Sequence, residues 1–338
     1  MYGQRRIGKT SVLQQIPICS QIKGLNFVYF DCQAFVDAEQ TEQADTLRTI
    51  VDGLIHRIAE TLLPAQTNFP SLEALDRDLL SLFNHFLEDV YTALGGENLV
   101  LLLDELDALD ITESDEQNIR FFSFLKKIIS DSEKLFAVAT IGQQIDGFEK
   151  LSNLFNEAAY IKVSFLEEVD SKNLILDLNK INIKDKQQNY LEYDQSAISC
   201  ILNLTSNHPY LIQGICAKIF DYGKDQNRYQ ISEKQVRLNI EAALESLGGI
   251  QFFWDSRTMM ERLILLALAD AEKATDMSRP FNPFLLLEEE HGIQVYDSIE
   301  KALERLEKGD FIEPDKLQND GIVPVLGKCY RIKIPVIS

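Results

Sequence analysis

Apolar and polar positions follow two different rhythms along the first half of the chain. Short, nearly unbroken apolar runs lie at 25–31 (LNFVYFD), 98–104 (NLVLLLD), 134–140 (KLFAVAT) and 158–165 (AAYIKVSF). Runs of that length, rich in Val, Leu, Phe and Tyr, predict strands buried on both faces. The stretches 9–16, 42–63, 72–94 and 115–130 instead carry apolar residues at helical spacing. Apolar strands alternating with helices predict a parallel sheet covered by helices on both sides.

The rhythm changes near residue 170. Helical spacing continues through 170–182, 194–205, 208–223 and 232–246, with NHP and YGKDQNRY as turn-like punctuation. The strand signal fades there, so a small helical domain is predicted. Past Gly248-Gly249 and a bulky aromatic stretch, TMMERLILLALADA and VYDSIEKALERLEKG predict two more helices, the second with Gly309 as its C-cap. The strand-like runs GIVPVL and CYRIKIPVI close the chain. Helices followed by a short hairpin outline a winged-helix-like domain. The pattern divides the chain into 1–168, 169–250 and 251–338, with no internal repeat.

Composition narrows the function classes. The chain has 338 residues, 45% of them hydrophobic, and a net charge of −20. That acidity lacks the basic footprint expected of a nucleic-acid binder. The five cysteines, Cys19, Cys32, Cys200, Cys216 and Cys329, form no CxxC pair, and their odd number fits no closed disulfide set. With four scattered histidines, no zinc site is predicted. A reducing, cytoplasmic setting is expected. No apolar run reaches the length of a membrane span, and residues 1–20 hold no signal-peptide core.

The chemistry begins at residue 3. Gly3-Gln4-Arg5-Arg6-Ile7-Gly8-Lys9-Thr10 fits the phosphate-loop pattern G-x-x-x-x-G-K-[ST] in full. Glycines let the backbone curl so that successive N–H groups face an anion. The helix expected from Lys9 points its positive end at the same place. The lysine ammonium serves the β- and γ-phosphates, and the Thr10 hydroxyl is a hard oxygen ligand for Mg²⁺. Downstream, NLVLLLDELDAL runs a buried strand into Asp104-Glu105. Such a strand presents its last carboxylate at the carboxyl edge of the sheet, where ligands of α/β proteins bind. Asp104 there can hold the water shell of Mg²⁺, and Glu105 can orient or deprotonate an attacking water. LFAVATIGQQI ends another buried strand in a polar patch, which makes Thr140 or Gln143 a candidate sensor of the γ-phosphate. Asp31 also ends a strand, and a structural role is expected for it.

Taken together, YGQRRIGKTSVLQQI, LVLLLDELDAL and SNHPYLIQGICAKIF resemble the STAND-type and archaeal-type ATPases of the AAA+ grouping. The paired arginines Arg5-Arg6 and the His-Pro-Tyr segment at 208–210 are distinctive of that group. The resemblance implies an α/β P-loop NTPase core, an α-helical lid and a C-terminal winged helix, binding ATP or ADP with Mg²⁺. It implies that Gly3, Gly8, Lys9 and Thr10 bind phosphate, with Ser11 following, and that Asp104 serves Mg²⁺. It further implies that Glu105 is the catalytic acid and that Pro209 packs by the nucleotide. Thr140 is the tentative sensor and Lys218 a candidate second sensor. Such proteins usually act as switches, held closed by ADP and released by ATP. Their partners are protein partners or fused effector domains, and they often assemble as nucleotide-dependent homo-oligomers.

Two expectations depart from that pattern. The first strand of the sheet is missing, since only Met1 and Tyr2 precede the loop, and the chain reads as a fragment or as the product of a truncated start. The predicted helix at 295–308 balances Lys301, Arg305 and Lys308 against Asp297, Glu300, Glu304 and Glu307, which disfavours contact with nucleic-acid phosphates. The expected function is a slow ATP-hydrolysing switch. A nucleic-acid-associated AAA+ ATPase and a degenerate, non-catalytic protein-interaction remnant are the alternatives.

Overall fold

The computed structural model describes residues 1–34, 46–63, 79–109, 116–142, 158–181, 191–226, 229–247, 251–255, 257–275, 280–293, 298–315 and 328–334. Two units share the chain: residues 1–3 with 8–163, and residues 4–7 with 164–338.

The first unit is built on β1 (Leu25–Asp31), β2 (Asn98–Asp104) and β3 (Leu135–Ala139), parallel and adjacent in that order. Two strands keep the expected bounds because an unbroken apolar run is stable only when both faces of the strand are covered. The register pairs Tyr29 with Leu102 and Asp31 with Asp104, and Leu103 with Ala139. Side chains alternate between the two faces. Val28, Phe30, Leu99, Leu101 and Leu103 join one core with α2 (Thr46–Leu62), α3 (Leu79–Ala93) and α4 (Glu116–Asp131). Helix α2 supplies Ile50, Val51, Leu54, Ile55 and Ile58, a stripe at helical spacing. Val100 and Leu102 face the other way, where Leu13 of α1 (Lys9–Cys19) covers them with Phe27, Tyr29 and Val138 at the margin.

The slot expected to be empty holds a stub. Tyr2 bridges in parallel to both Ile141 and Lys162. The Tyr2 amide donates to the Ile161 carbonyl (3.0 Å), and the Tyr2 carbonyl accepts from the Val163 amide (2.7 Å). Among the described residues, the predicted strand at 158–165 pairs with this one residue. Partial burial, with the nearby Lys9 charge second, lowers the pKa of the Met1 ammonium, which donates to the Ala139 carbonyl.

In the second unit, α5 (Glu168–Ile181), α6 (Gln195–Thr205), α7 (Pro209–Asp225) and α8 (Glu233–Ser246) enclose Ile175, Ile201, Ile212, Ile215, Ile219 and Val236. Their starts have local causes. Asp194 caps α6 through the Ala197 amide, Pro209 occupies the first turn of α7, and Ser232 with Gln235 forms a capping box on α8. A two-residue parallel pair, β4 (Glu192–Tyr193) with β5 (Gln230–Ile231), was not expected from the sequence.

The rest of this unit includes α9 (Gln251–Asp255), α10 (Met259–Thr275), a short helix Pro283–Leu285 running into a π-helical turn Leu286–Glu290, α11 (Ser298–Lys308), β6 (Ile312–Pro314) and β7 (Tyr330–Ile332). Phe253, Ile264, Leu268, Leu303, Leu306 and Tyr330 form its core. β7 pairs antiparallel with β6, a segment with no strand pattern of its own, and bridges Phe281 through Tyr330, whereas the predicted strand GIVPVL lies outside the described residues. Helix α11 ends at Lys308 with Gly309 next, as expected of its C-cap, and the left-handed conformation falls one residue further on, at Asp310 (φ 57°). The Phe311 amide reaches the Leu306 carbonyl and the Asp310 amide the Glu307 carbonyl, a Schellman pattern. Asp tolerates that conformation better than most residues, and its carboxylate is held by Lys333 (2.7 Å) and Ser164 (3.0 Å).

Candidate nucleotide site

The G-x-x-x-x-G-K-T run leads directly into α1. Gly8 sits at φ 101° and Arg6 at φ 64°, two reversals that curl the backbone between Gly3 and α1. Gly8 caps α1 without a side chain, so nothing from the cap position covers the helix's N-terminal N–H groups. Lys9 is buried, and its ammonium donates to the Gly3 carbonyl (3.1 Å). Thr10 is half-buried and Ser11 exposed. Donors at a helix start, a lysine returned to the mouth of its own loop, and a hydroxyl at its second turn position suit phosphate oxygens and Mg²⁺.

Residues 4–7 of the loop belong to the second unit. There the Gln4 side-chain amide donates to the Gly309 carbonyl. Arg6 hydrogen-bonds the Tyr210 hydroxyl, and its guanidinium lies 4.6 Å from the Tyr210 ring centre. Ile7 is buried, while Arg5 is exposed. Pro209 lies in the same unit at the head of α7, and Lys218 is half-buried along that helix.

The acidic pair stands where β2 ends. Asp104 is buried and Glu105 half-buried. Glu105 adopts φ 49°, a conformation that costs an ordinary residue about 1 kcal/mol. Thr140 holds it there: its hydroxyl accepts from the Glu105 amide (2.8 Å) and donates to Asp104 Oδ1. The Glu105 amide lies 3.2 Å from that same oxygen. Thr140 also extends the backbone ladder, through its amide to the Leu103 carbonyl and its carbonyl from the Leu106 amide. The residue expected to sense a γ-phosphate therefore braces the acidic pair in this arrangement. Gln143, the other sensor candidate, lies outside the described residues. Asp31 accepts from the Ala34 amide (2.9 Å), the structural role expected of it.

One member of the cluster escaped the sequence reading. The Tyr29 hydroxyl donates to Asp104 Oδ2 at 2.8 Å. Burial first, then the hydrogen bond to Asp104 and its charge, push the Tyr29 phenol upward, with Gln14 of α1 acting in the opposite direction. The signal was the alternation itself: Tyr29 shares the α1 face with Phe27 and lies two positions before the strand's end. Among the described residues, no group of three or more His, Cys, Asp or Glu side chains forms a metal-binding set. Thr10 and Asp104 are oxygen donors of the kind Mg²⁺ takes, few in number because that ion usually keeps several waters. No helix among them is long and apolar enough to cross a membrane.

No family model matches the chain, and no curated protein matches it in sequence. Among solved structures it is similar to the Walker-type ATPase PABY2304 of Pyrococcus abyssi, at 16% identity and a TM-score of 0.64, over 99% of this chain and 88% of that one. It is also similar to the ORC2 protein of Aeropyrum pernix in its ADPNP–ADP complexes, at 12% identity and a TM-score of 0.62, over 99% of this chain and 85% of that one. The likeness is one of fold: a P-loop-type α/β core with a parallel sheet, followed by helical regions.

Proposed function

We propose that this chain binds ATP and ADP with Mg²⁺, hydrolyses ATP slowly, and acts as a nucleotide-governed switch. The observation that carries this reading is the joining of Asp104, Glu105 and Thr140 at the carboxyl edge of the sheet, whose one face is covered by α1, the helix that the G-x-x-x-x-G-K-T run leads into. In this reading the loop and the first turn of α1 hold the phosphates, with Gly3, Gln4, Arg5, Arg6, Ile7, Gly8 and Ser11 supplying the frame. Lys9 exchanges the Gly3 carbonyl for phosphate oxygens. Thr10 and Asp104 hold Mg²⁺, which when bound neutralises charge on the β- and γ-phosphates. Glu105 orients a water and accepts its proton. Pro209 is assigned to the nucleotide by resemblance alone, and 169–250 and 251–338 are assigned as lid and winged helix.

Switching requires ATP and ADP to favour different forms of the protein, and the γ-phosphate is the chemical difference available to do so. Partners on this reading are proteins or fused effector domains, including further copies of the chain, and the setting is the cytoplasm. Nucleic acid is disfavoured by the net charge of −20 and by the sequence 295–308, where three basic residues stand against four acidic ones. A mobility shift that weakens steeply with salt would instead favour a nucleic-acid-associated ATPase.

Calorimetric titration of the wild type and Lys9→Ala with ATP and ADP, with and without Mg²⁺, tests the proposal. Removing the ammonium deletes a hydrogen bond between charged groups, so affinity is expected to fall roughly tenfold or more. A folded wild type that takes up neither nucleotide, or an unchanged Lys9→Ala, would refute it and leave the protein-interaction remnant as the reading.

A further inference from the structure

We propose that Tyr29 is a positioning residue for Asp104 and sets how readily the site takes Mg²⁺. The inference rests on the nucleotide reading above and extends it to a residue on a different strand. In a strand, alternate side chains share a face. On the α1 face, β1 presents Phe27 and Tyr29, β2 presents Val100 and Leu102, and β3 presents Val138. Continuing each series by one step brings in Asp104 after Leu102 and Thr140 after Val138. Tyr29 pairs with Leu102 in the register, one step short of Asp104. A phenol is long enough to cover that step, and its hydroxyl meets Oδ2 at 2.8 Å.

The hydroxyl is the informative atom. The side chain packs with Leu13, Phe27, Val100, Leu102 and Val138, which a phenylalanine would do equally well. The hydroxyl of this half-buried residue adds one thing, a hydrogen bond, and its partner is the carboxylate that the site requires for Mg²⁺. An ionised carboxylate offers about four acceptor positions. Thr140 and the Glu105 amide address Oδ1, and Tyr29 addresses Oδ2. The position that remains for a metal-bound water is on Oδ2, the oxygen Tyr29 holds. With donors on both oxygens the plane of the carboxylate is fixed, so the remaining lone pair is aimed before any ion arrives. Without the phenol, only Oδ1 is restrained. Gln14 ties the same hydroxyl to α1, the helix that begins at the phosphate loop.

The test is calorimetric titration of ADP at graded Mg²⁺, and in EDTA, for wild type, Tyr29→Phe, Asp104→Asn and the double variant. Loss of a partner that orients a metal-serving group weakens metal binding by about tenfold or more. Tyr29→Phe is therefore expected to raise the half-saturating Mg²⁺ concentration about tenfold and to leave ADP affinity in EDTA unchanged. In the Asp104→Asn background it should add nothing. An unchanged or lowered Mg²⁺ requirement overturns the proposal, as does an equal loss of affinity in EDTA, which would mark Tyr29 as packing only. Failure of the wild type to bind ADP under any condition overturns the nucleotide reading and this proposal with it. Normal wild-type binding with an indifferent Tyr29→Phe overturns this proposal alone.

Discussion

His208 makes the stability of the second unit depend on pH. Its ring is fully buried at the head of α7, with the Phe165 and Phe253 rings each 5.5 Å away. Neither ring nitrogen meets a hydrogen-bond partner among the described residues. Burial lowers its pKa from 6.5 to about 4, its own backbone and the Asp310 carboxylate pulling weakly the other way. The unfolded chain takes up a proton near 6.5, while the folded one resists until about 4. Between those values the unfolded state binds more protons, so stability falls as pH falls. The full shift corresponds to about 3 kcal/mol below the folded pKa, of which about 2 kcal/mol is lost between pH 7 and pH 5. His208→Phe keeps an aromatic ring in the slot and removes the titration. Urea unfolding followed by Trp254, which packs on the same core as Phe253, reports this unit directly. Between pH 7 and pH 5 the wild type should lose about 2 kcal/mol more than His208→Phe. Equal losses in the two proteins would show that the buried imidazole is not the group responsible.

Two further outcomes follow from the site geometry. Glu105→Gln should retain nucleotide binding and lower phosphate release by about a hundredfold or more, the usual contribution of a general base; undiminished turnover would remove Glu105 from that role. Gly8→Ala places a side chain at φ 101°, where a built Cβ meets nothing within 4 Å, so the penalty is conformational alone, about 1–2 kcal/mol. It should appear as a lower melting temperature or weaker ADP binding, and a variant equal to wild type in both would mean that the loop relaxes at no cost.

The sequence was most legible where one residue pattern admits one solution. LNFVYFD and NLVLLLD became strands with the expected bounds, because apolar residues on both faces must be covered by helices on both sides. The G-x-x-x-x-G-K-T run and the Asp104-Glu105 pair stood out because such patterns fix residue types at fixed spacing, and their assignment to phosphate and Mg²⁺ remains the proposal made above. Where a feature depends on a distant partner, the pattern was silent or misleading. The segment 158–165 reads as a full strand, yet among the described residues its strand pairing is with Tyr2 alone. Ile312–Pro314 has no strand pattern, yet it pairs with Tyr330–Ile332. At the end of α11, Gly309 is the better left-handed residue by local propensity, but Lys333 and Ser164 hold Asp310 in that conformation.

The sequence by itself determined the alternating α/β core, the helical region that follows it and the loop with its acidic counterpart, since each rests on local periodicity or on contiguous chemistry. Only the tertiary structure decided that Thr140 braces Asp104 and Glu105, and that Tyr29 joins them. Those contacts run between strands separated by dozens of residues, and a shift of one residue in register would turn the same side chains to the opposite face. Register is a property of how strands pack together, and no single strand carries it alone.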